Sequence, residues 1–112
     1  MTLKSRNTIA KGHPRGPKLP PVHPGELLKE TLDDLGISMN RMAQEIRVPA
    51  NRISAIVAGQ RGITGETALR LGRYFGTTPA YWMNMQVRYD LETARDEWEA
   101  QIHSEVRPRS AA

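Results

Sequence analysis

The sequence predicts an all-α fold in which five short helices form one domain and a helical extension follows. Three observations indicate this fold. Apolar residues recur three and four positions apart, which is the spacing of one helix face. Serine, threonine or proline stands where each segment would begin, and glycine stands where most would end. No segment alternates apolar and polar residues as a half-buried strand would.

The length and the composition limit the class of protein. At 112 residues the chain has room for one domain. It has no cysteine, which excludes disulfides and thiolate chemistry and favours a reducing compartment. No apolar run approaches the roughly 18 residues of a membrane span. We therefore expect a cytoplasmic protein without membrane contact.

The net charge of +4 is unevenly distributed along the chain. Residues 1–23 carry five basic side chains and no acidic one, whereas residues 90–105 carry six acidic side chains and one basic. Basic segments attract phosphate and acidic segments repel it. We divide the chain into a flexible, basic, proline-rich arm (1–22), a helical domain (23–89), an acidic C-terminal helix (90–105) and a tail (106–112).

The first helix is predicted to begin at Pro24 and to end at Gly36. Proline suits the first turn, and Glu26 complements the positive end of the helix. The buried face is predicted to consist of Leu28, Leu32 and Leu35.

Two short helices with a tight turn follow. Ser38 can cap the first of them, whose apolar face is Met42, Ala43 and Ile46. The turn falls at Val48 and Pro49, because the residue before a proline is pushed out of the α region and proline suits the first turn of a helix. The apolar face of the second helix is Ile53, Ile56 and Val57.

So brief a connection predicts a helix-turn-helix. Gly59 suits the left-handed end of the second helix. The start of that helix then points outward and carries Asn51, Arg52 and Ser54. This geometry is typical of DNA reading in the major groove.

The fourth and fifth helices are predicted to begin after Thr64 and Thr78 as caps. Gly72 lies on the apolar face of the fourth helix with Ala68, Leu71 and Phe75. Because glycine costs roughly 1 kcal/mol in a helix relative to alanine, Gly72 indicates a close contact between helices. The face of the fifth helix is Trp82, Met85, Gln86 and Tyr89.

A narrow apolar stripe continues beyond the fifth helix at spacings of 3, 4 and 4, and consists of Leu91, Ala94, Trp98 and Ile102. A stripe of this width fits a partner helix, with Trp98 at its centre. It predicts contact with a second copy of the chain, contact with a different protein, or packing within the chain.

Catalysis finds no support in the sequence. The three histidines lie in tails or at a helix end, without ligand spacing or a partnered carboxylate. The adjacent acidic pairs point to different sides of a helix, and no glycine-rich phosphate loop is present. We therefore expect no enzyme activity, no metal and no cofactor.

Four segments carry a family resemblance. They are H-P-G-E-L-L (23–28), V-P-A-N-R-I (48–53), G-Q-R-G-I-T-G-E-T-A-L-R-L (59–71) and W-M-N-M-Q-V-R-Y-D-L (82–91). Together they resemble antitoxins of the HigA type, a group of Xre-type helix-turn-helix proteins, over about residues 22–92. The resemblance implies a five-helix, lambda-repressor-like helix-turn-helix domain over residues 23–89, with a C-terminal helical extension.

The resemblance also implies a function. A bacterial antitoxin of this type is a homodimer that binds double-stranded operator DNA and represses its own operon. Its cognate toxin is of the HigB type, a small RelE-like mRNA interferase. In this superfamily the base-reading positions flank the residue that is Ile53 here, and they fall on Ala50, Asn51, Arg52, Ser54 and Ala55. Asn51 can pair with adenine, and Arg52 with guanine or a phosphate.

Phosphate contacts are predicted on either side of this helix. The superfamily often begins the preceding helix with a phosphate-binding glutamine, but Met39 stands there, with Asn40 and Arg41 as the nearest polar substitutes. Arg61 and the backbone around Gln60, in the loop after the reading helix, are further candidates. We expect ordinary surface charge at Arg47, Arg70 and Arg73.

Two other functions stay open as alternatives. A standalone helix-turn-helix repressor needs the same DNA-reading half, and a pure interaction module would show no sequence-dependent affinity for DNA. For a toxin, the acidic segment from Asp90 to Glu105 is one predicted docking surface, because RNA-cleaving enzymes are expected to be basic. The arm before Val22 is the other, and it could instead hold DNA phosphates or have no role.

Overall fold

The computed structural model describes residues 19–110, which form five α-helices and no strand. The helices are α1 (Pro24–Leu35), α2 (Met39–Ile46), α3 (Ala50–Val57), α4 (Gly65–Phe75) and α5 (Pro79–Glu105). The predicted all-α, five-helix fold is confirmed. Most of the predicted arm lies outside the described residues; of its described part, Leu19 and Val22 are exposed.

Three helices begin at the predicted caps. The hydroxyl oxygens of Ser38, Thr64 and Thr78 accept backbone N–H groups one turn ahead, at 3.0, 3.4 and 3.1 Å. Each cap satisfies a donor that the helix leaves unpaired, which contributes about 1 kcal/mol. Gly36 and Gly76 end α1 and α4 in the left-handed conformation, with φ of 68° and 75°. These helix boundaries are therefore determined by the local sequence.

The cap of α1 is His23, which the sequence did not indicate. Its Nδ1 accepts the backbone N–H of Gly25 at 2.9 Å, and the Glu26 carboxylate accepts the backbone N–H of His23 at 3.4 Å. The two bonds form a reciprocal capping box in which histidine replaces the usual serine or threonine. Pro24 occupies the first turn, as predicted.

The turn between α2 and α3 differs from the prediction. α2 ends at Ile46 and is capped by Arg47, a non-glycine residue with φ of 62°, whose N–H donates to the carbonyl oxygens of Ala43 and Gln44. Val48 then inserts its side chain into the core. Pro49 precedes α3 with an extended ψ of 139°, so the helix begins at Ala50 rather than at the proline.

One core joins all five helices. It consists of Leu28, Leu32, Met42, Ala43, Ile46, Val48, Ile53, Ile56, Ile63, Ala68, Leu71 and Trp82. The prediction that Leu35 is buried was wrong, because the side chain is 56% exposed. Leu35 is the last residue of α1, and beyond the Gly36 cap Ile37 packs against the core instead.

A close approach explains Gly72. A Cβ there would lie 3.0 Å from the carbonyl oxygen of Thr77 and 3.1 Å from the nitrogen of Pro79, at the turn into α5. The predicted contact between helices is thus made by α4 against the first residue of α5 and the turn before it.

The predicted fifth helix and the predicted acidic extension form one uninterrupted helix. α5 has 27 residues, and its first half buries Trp82 and Gln86 against the bundle. Its second half projects beyond the bundle and contributes to a long molecular axis of 54 Å, against 31 and 24 Å in the other directions. Among the described helices none is long and apolar enough to cross a membrane.

Candidate DNA interface

The reading face predicted on α3 is largely open to solvent. Ile53 and Ile56 are fully buried against the bundle, which turns the opposite side of the helix outward. On that side Ala50, Asn51 and Ser54 are exposed, whereas Arg52 and Ala55 are half-buried. The Ser54 hydroxyl donates to the carbonyl oxygen of Asn51 at 3.2 Å, within the helix. Most of the predicted reading positions are thus available to a ligand.

The Arg52 side chain points toward α4. Its Nη1 lies 3.7 Å from the Glu66 Oε1, and 26% of its side chain is exposed. Glu66 also accepts from Arg70, whose Nη1 donates to the carbonyl oxygen of Ile46 at 2.9 Å. The expectation that Arg70 is ordinary surface charge was wrong, because Arg70 ties α4 to the end of α2.

The start of α2 presents Asn40 and Arg41 to solvent. The Arg41 Nε donates to the Glu45 carboxylate at 3.2 Å, and that carboxylate also accepts the hydroxyl of Tyr74 on α4. The bond from Tyr74 is the main cause that lowers the pKa of Glu45, and Arg41 lowers it further. The same bond raises the pKa of Tyr74. Arg41 therefore stands beside a carboxylate that is held in its charged form.

The loop after α3 is held by α5. Gln60 and Arg61 are exposed in this loop, while Ile63 is buried. The Gln86 Oε1 accepts the backbone N–H of Ile63 at 2.7 Å, and its Nε2 donates to the Asp90 carboxylate at 2.9 Å. This bond anchors the backbone at Ile63, two residues after Arg61. The backbone position of Arg61 is therefore defined, although its side chain is exposed. The sequence placed Gln86 on the helix face but did not reveal this bond.

The motif at residues 23–28 supports the C-terminal end of α3, just before this loop. A Cβ on Gly25 would lie 1.9 Å from the carbonyl oxygen of Ile56, so only glycine lets α1 approach this closely. His23 also packs edge-on against Tyr89 of α5, with ring centroids 4.8 Å apart. Trp82, which opens the C-terminal motif, donates from Nε1 to the Thr77 hydroxyl at 2.9 Å. Gly25 thus packs α1 against α3, and His23 and Trp82 fix the ends of α1 and α5.

The stripe on the second half of α5 is uncovered within the described part of the chain. Leu91, Trp98 and Ile102 are 50%, 45% and 50% exposed, and Ala94 is exposed beside them. Scattered apolar side chains are normal on a surface, whereas these four form a continuous row along one face of the helix.

Two short helices joined by a tight turn, with a polar reading face on the second, define the class of helix-turn-helix DNA-binding proteins. The model of the helix-turn-helix family HTH_3 matches residues 28–82. Virulence-associated protein I of Dichelobacter nodosus is 47% identical over 81 residues, which are 71% of this chain and 75% of that protein.

Two solved structures agree with this class. An addiction module antidote protein of a HigA family from Coxiella burnetii has a TM-score of 0.79 and 44% identity, over 81% of this chain and all of that one. The Pseudomonas aeruginosa antitoxin HigA, solved with the higBA promoter, has a TM-score of 0.77 and 43% identity, over 80% and 99%. The chain belongs to the HigA family of antitoxins, which are helix-turn-helix transcription regulators and not enzymes.

Proposed function

We propose that this chain is the antitoxin of a type II toxin–antitoxin module, which represses its own operon and neutralises a small RelE-like, mRNA-cleaving toxin of the HigB type. One observation carries the proposal. The start of α3 is polar and exposed, in a chain whose sequence is 43% identical to that of an antitoxin solved with its promoter. The module acts in the cytoplasm, where the operator and the toxin's mRNA substrates are found.

DNA reading is assigned to a homodimer. Two copies that pair along Leu91, Ala94, Trp98 and Ile102 present two α3 helices to successive major grooves, about 34 Å apart along the duplex. A palindromic operator matches that twofold symmetry. The uncovered stripe on α5 supports this arrangement, because removing its apolar surface from water stabilises the pair of chains.

The reading residues have separate roles. Asn51 is placed to pair with adenine and Arg52 with guanine, while Ala50 and Ala55 offer apolar contact to thymine methyls. Ser54 reads a base edge beside them, and Asn40, Arg41, Gln60 and Arg61 bind phosphates on either side. Two alanines among five reading positions leave few direct base contacts, so part of the specificity comes from the shape of the DNA.

The toxin is proposed to dock on the acidic half of α5. Residues 90–105 carry a net charge of −5, and a protein that binds RNA presents a basic surface. Alanine at Glu92, Glu97 and Glu99 together should then weaken toxin binding while operator binding persists. Unchanged toxin affinity would move the docking surface elsewhere, with the arm before Val22 as the next candidate.

Bacterial growth tests the whole proposal. The small protein encoded beside this gene is expressed with and without this chain. Growth arrest that this chain relieves establishes the antitoxin. If the neighbour is harmless, or if this chain does not relieve its toxicity, the function that survives is a standalone helix-turn-helix repressor without a toxin partner.

A further inference from the structure

Glu66 links the reading helix α3 to α4, and Arg70 extends the link to α2. It lies in the first turn of α4, where its negative charge also suits the positive helix end. One carboxylate oxygen, Oε2, accepts from the Arg70 Nε and Nη2 at 3.2 and 3.0 Å. The other, Oε1, lies 3.7 Å from the Arg52 Nη1 on α3. A single carboxylate therefore bridges two arginines.

Arg70 fixes the position of this carboxylate. Its Nη1 donates to the carbonyl oxygen of Ile46, the last residue of α2, at 2.9 Å. Its Nε and Nη2 donate to Glu66, so the guanidinium is held at two ends, and its planar fork restricts both partners. The Glu66 side chain is 59% exposed, and its two bonds to Arg70 hold it with Oε1 toward Arg52.

Pairing with Glu66 changes what Arg52 can do. A free guanidinium near DNA is attracted to any phosphate, which adds affinity for every sequence alike. A neighbouring carboxylate cancels much of that attraction and restricts the directions in which the guanidinium can extend. The remaining productive contact is one whose geometry matches, such as the two acceptors of guanine in the major groove.

We infer that Glu66 is a specificity-determining positioning residue, which orients Arg52 toward base edges and suppresses its attraction to phosphates. The inference rests on the proposed DNA-binding function, and it adds a residue outside the reading helix to the determinants of operator choice. Glu66 itself touches no base in this arrangement. It acts through Arg52, so its effect should vanish when Arg52 is absent.

The test measures the affinity of the purified full-length chain for two duplexes of equal length and composition. One is the DNA upstream of its own gene, and the other is a scrambled duplex. Glu66→Gln should raise affinity for the scrambled duplex and lower the operator-to-scrambled ratio by about tenfold, within the range for one specific base contact. In an Arg52→Ala background the same substitution should leave the ratio unchanged.

A matched control separates orientation from net charge. Asp33→Asn also removes one negative charge from an ion pair, between Lys29 and Asp33 on α1, and it should not change the ratio. If Glu66→Gln lowers the folded fraction, both affinities fall together and the ratio still reports specificity. Glu66→Asp serves as a second variant: it keeps the charge, shortens the reach to Arg52 and should give an intermediate ratio.

Three results overturn the inference. The first is an unchanged ratio in Glu66→Gln, and the second is the same loss of ratio with and without Arg52. The third is a wild-type chain that binds both duplexes alike, which overturns the proposed operator binding and this inference with it. If the wild type prefers the operator duplex and Glu66→Gln prefers it equally, the operator binding stands and only the role of Glu66 is removed.

Discussion

The side-chain oxygen of Gln86 accepts the backbone N–H of Ile63 at 2.7 Å, although the two residues are 23 positions apart. Both partners are buried, so neither can turn to water if the bond is lost. The bond joins α5 to the loop that carries Arg61. It therefore connects the helix proposed to bind partners with the loop proposed to bind phosphates.

Gln86→Leu should destabilise the fold by about 1–3 kcal/mol, because it leaves the Ile63 N–H buried without a partner. Denaturant unfolding of the full chain measures the loss. Gln101→Leu is the matched control, since Gln101 lies exposed on the same helix and should change stability by no more than about 0.5 kcal/mol. Equal effects of the two substitutions would contradict the assigned role of Gln86.

Gly25→Ala should destabilise the fold by about 3 kcal/mol, because the new methyl group would lie 1.9 Å from the Ile56 carbonyl oxygen and force α1 away from α3. Thermal unfolding reports the change. The comparison is Gly65→Ala at the first position of α4, where an added Cβ meets nothing within 4 Å. A Gly25→Ala protein as stable as Gly65→Ala would mean that the helices do not approach this closely.

Arg52→Ala and Arg61→Ala should differ in kind. Losing Arg52 should weaken operator binding by about 1–3 kcal/mol and relax specificity, because a base contact is lost. Losing Arg61 should weaken binding to all DNA sequences alike. Because one phosphate contact is lost, the slope of log affinity against log salt concentration should become shallower by about 1. Gel shifts at several salt concentrations distinguish the two.

The control for these arginines is Arg73→Ala, an exposed position in the last turn of α4. It should preserve both the specificity and most of the affinity. If Arg52→Ala does not change operator affinity, Arg52 does not read a base. If Arg61→Ala does not change the salt dependence, Arg61 does not bind a phosphate.

Trp98→Ala should weaken the homodimer, because the largest side chain of the exposed stripe is removed. The measurement is the molar mass in solution over a range of concentrations, together with operator affinity, which should fall with the dimer. Ala100→Gln on the opposite side of α5 should leave the mass unchanged. A Trp98→Ala chain with wild-type mass at every concentration would place the dimer contact elsewhere.

Tyr74→Phe should lose a pH-dependent part of the stability. The bond to Tyr74 lowers the pKa of Glu45, so this stability is present above the usual carboxyl range and is lost as the pH falls through the lowered pKa. It raises the pKa of Tyr74, so the same stability is lost as the pH rises through that raised pKa. The difference in Tm between wild type and variant should be largest near neutral pH and shrink at both extremes; a difference that is constant with pH would show that the bond is not responsible.

The helix boundaries were predictable where the signal is local. Ser38, Thr64 and Thr78 cap the backbone three residues ahead, and Gly36 and Gly76 take the left-handed conformation that glycine adopts without strain. Arg47 takes the same conformation, but nothing in the side chain of an arginine indicates it. The sequence therefore predicts the turn at Val48 and Pro49, whereas α2 already ends at Ile46.

The site was predictable only in part. The exposed positions on α3 follow from the period of the buried residues Ile53 and Ile56. The contacts that orient the site cannot be predicted from this period. Arg70 bonds Ile46 across 24 residues, and Gln86 bonds Ile63 across 23. Periodicity describes one helix at a time, and such long-range contacts depend on how the helices are assembled.

The continuity of α5 makes this helix a lever. Its 27 residues span about 40 Å without a break, from Pro79, just before the Trp82 anchor in the core, to Glu105 at the exposed end. A tilt of about 5° at one end moves the other by about 3.5 Å, close to the rise of one base pair. In the proposed dimer, held by the outer halves of two such levers, a small change of angle would alter the separation of the two α3 helices, and the preferred spacing of the operator half-sites would then depend on what binds far from the DNA.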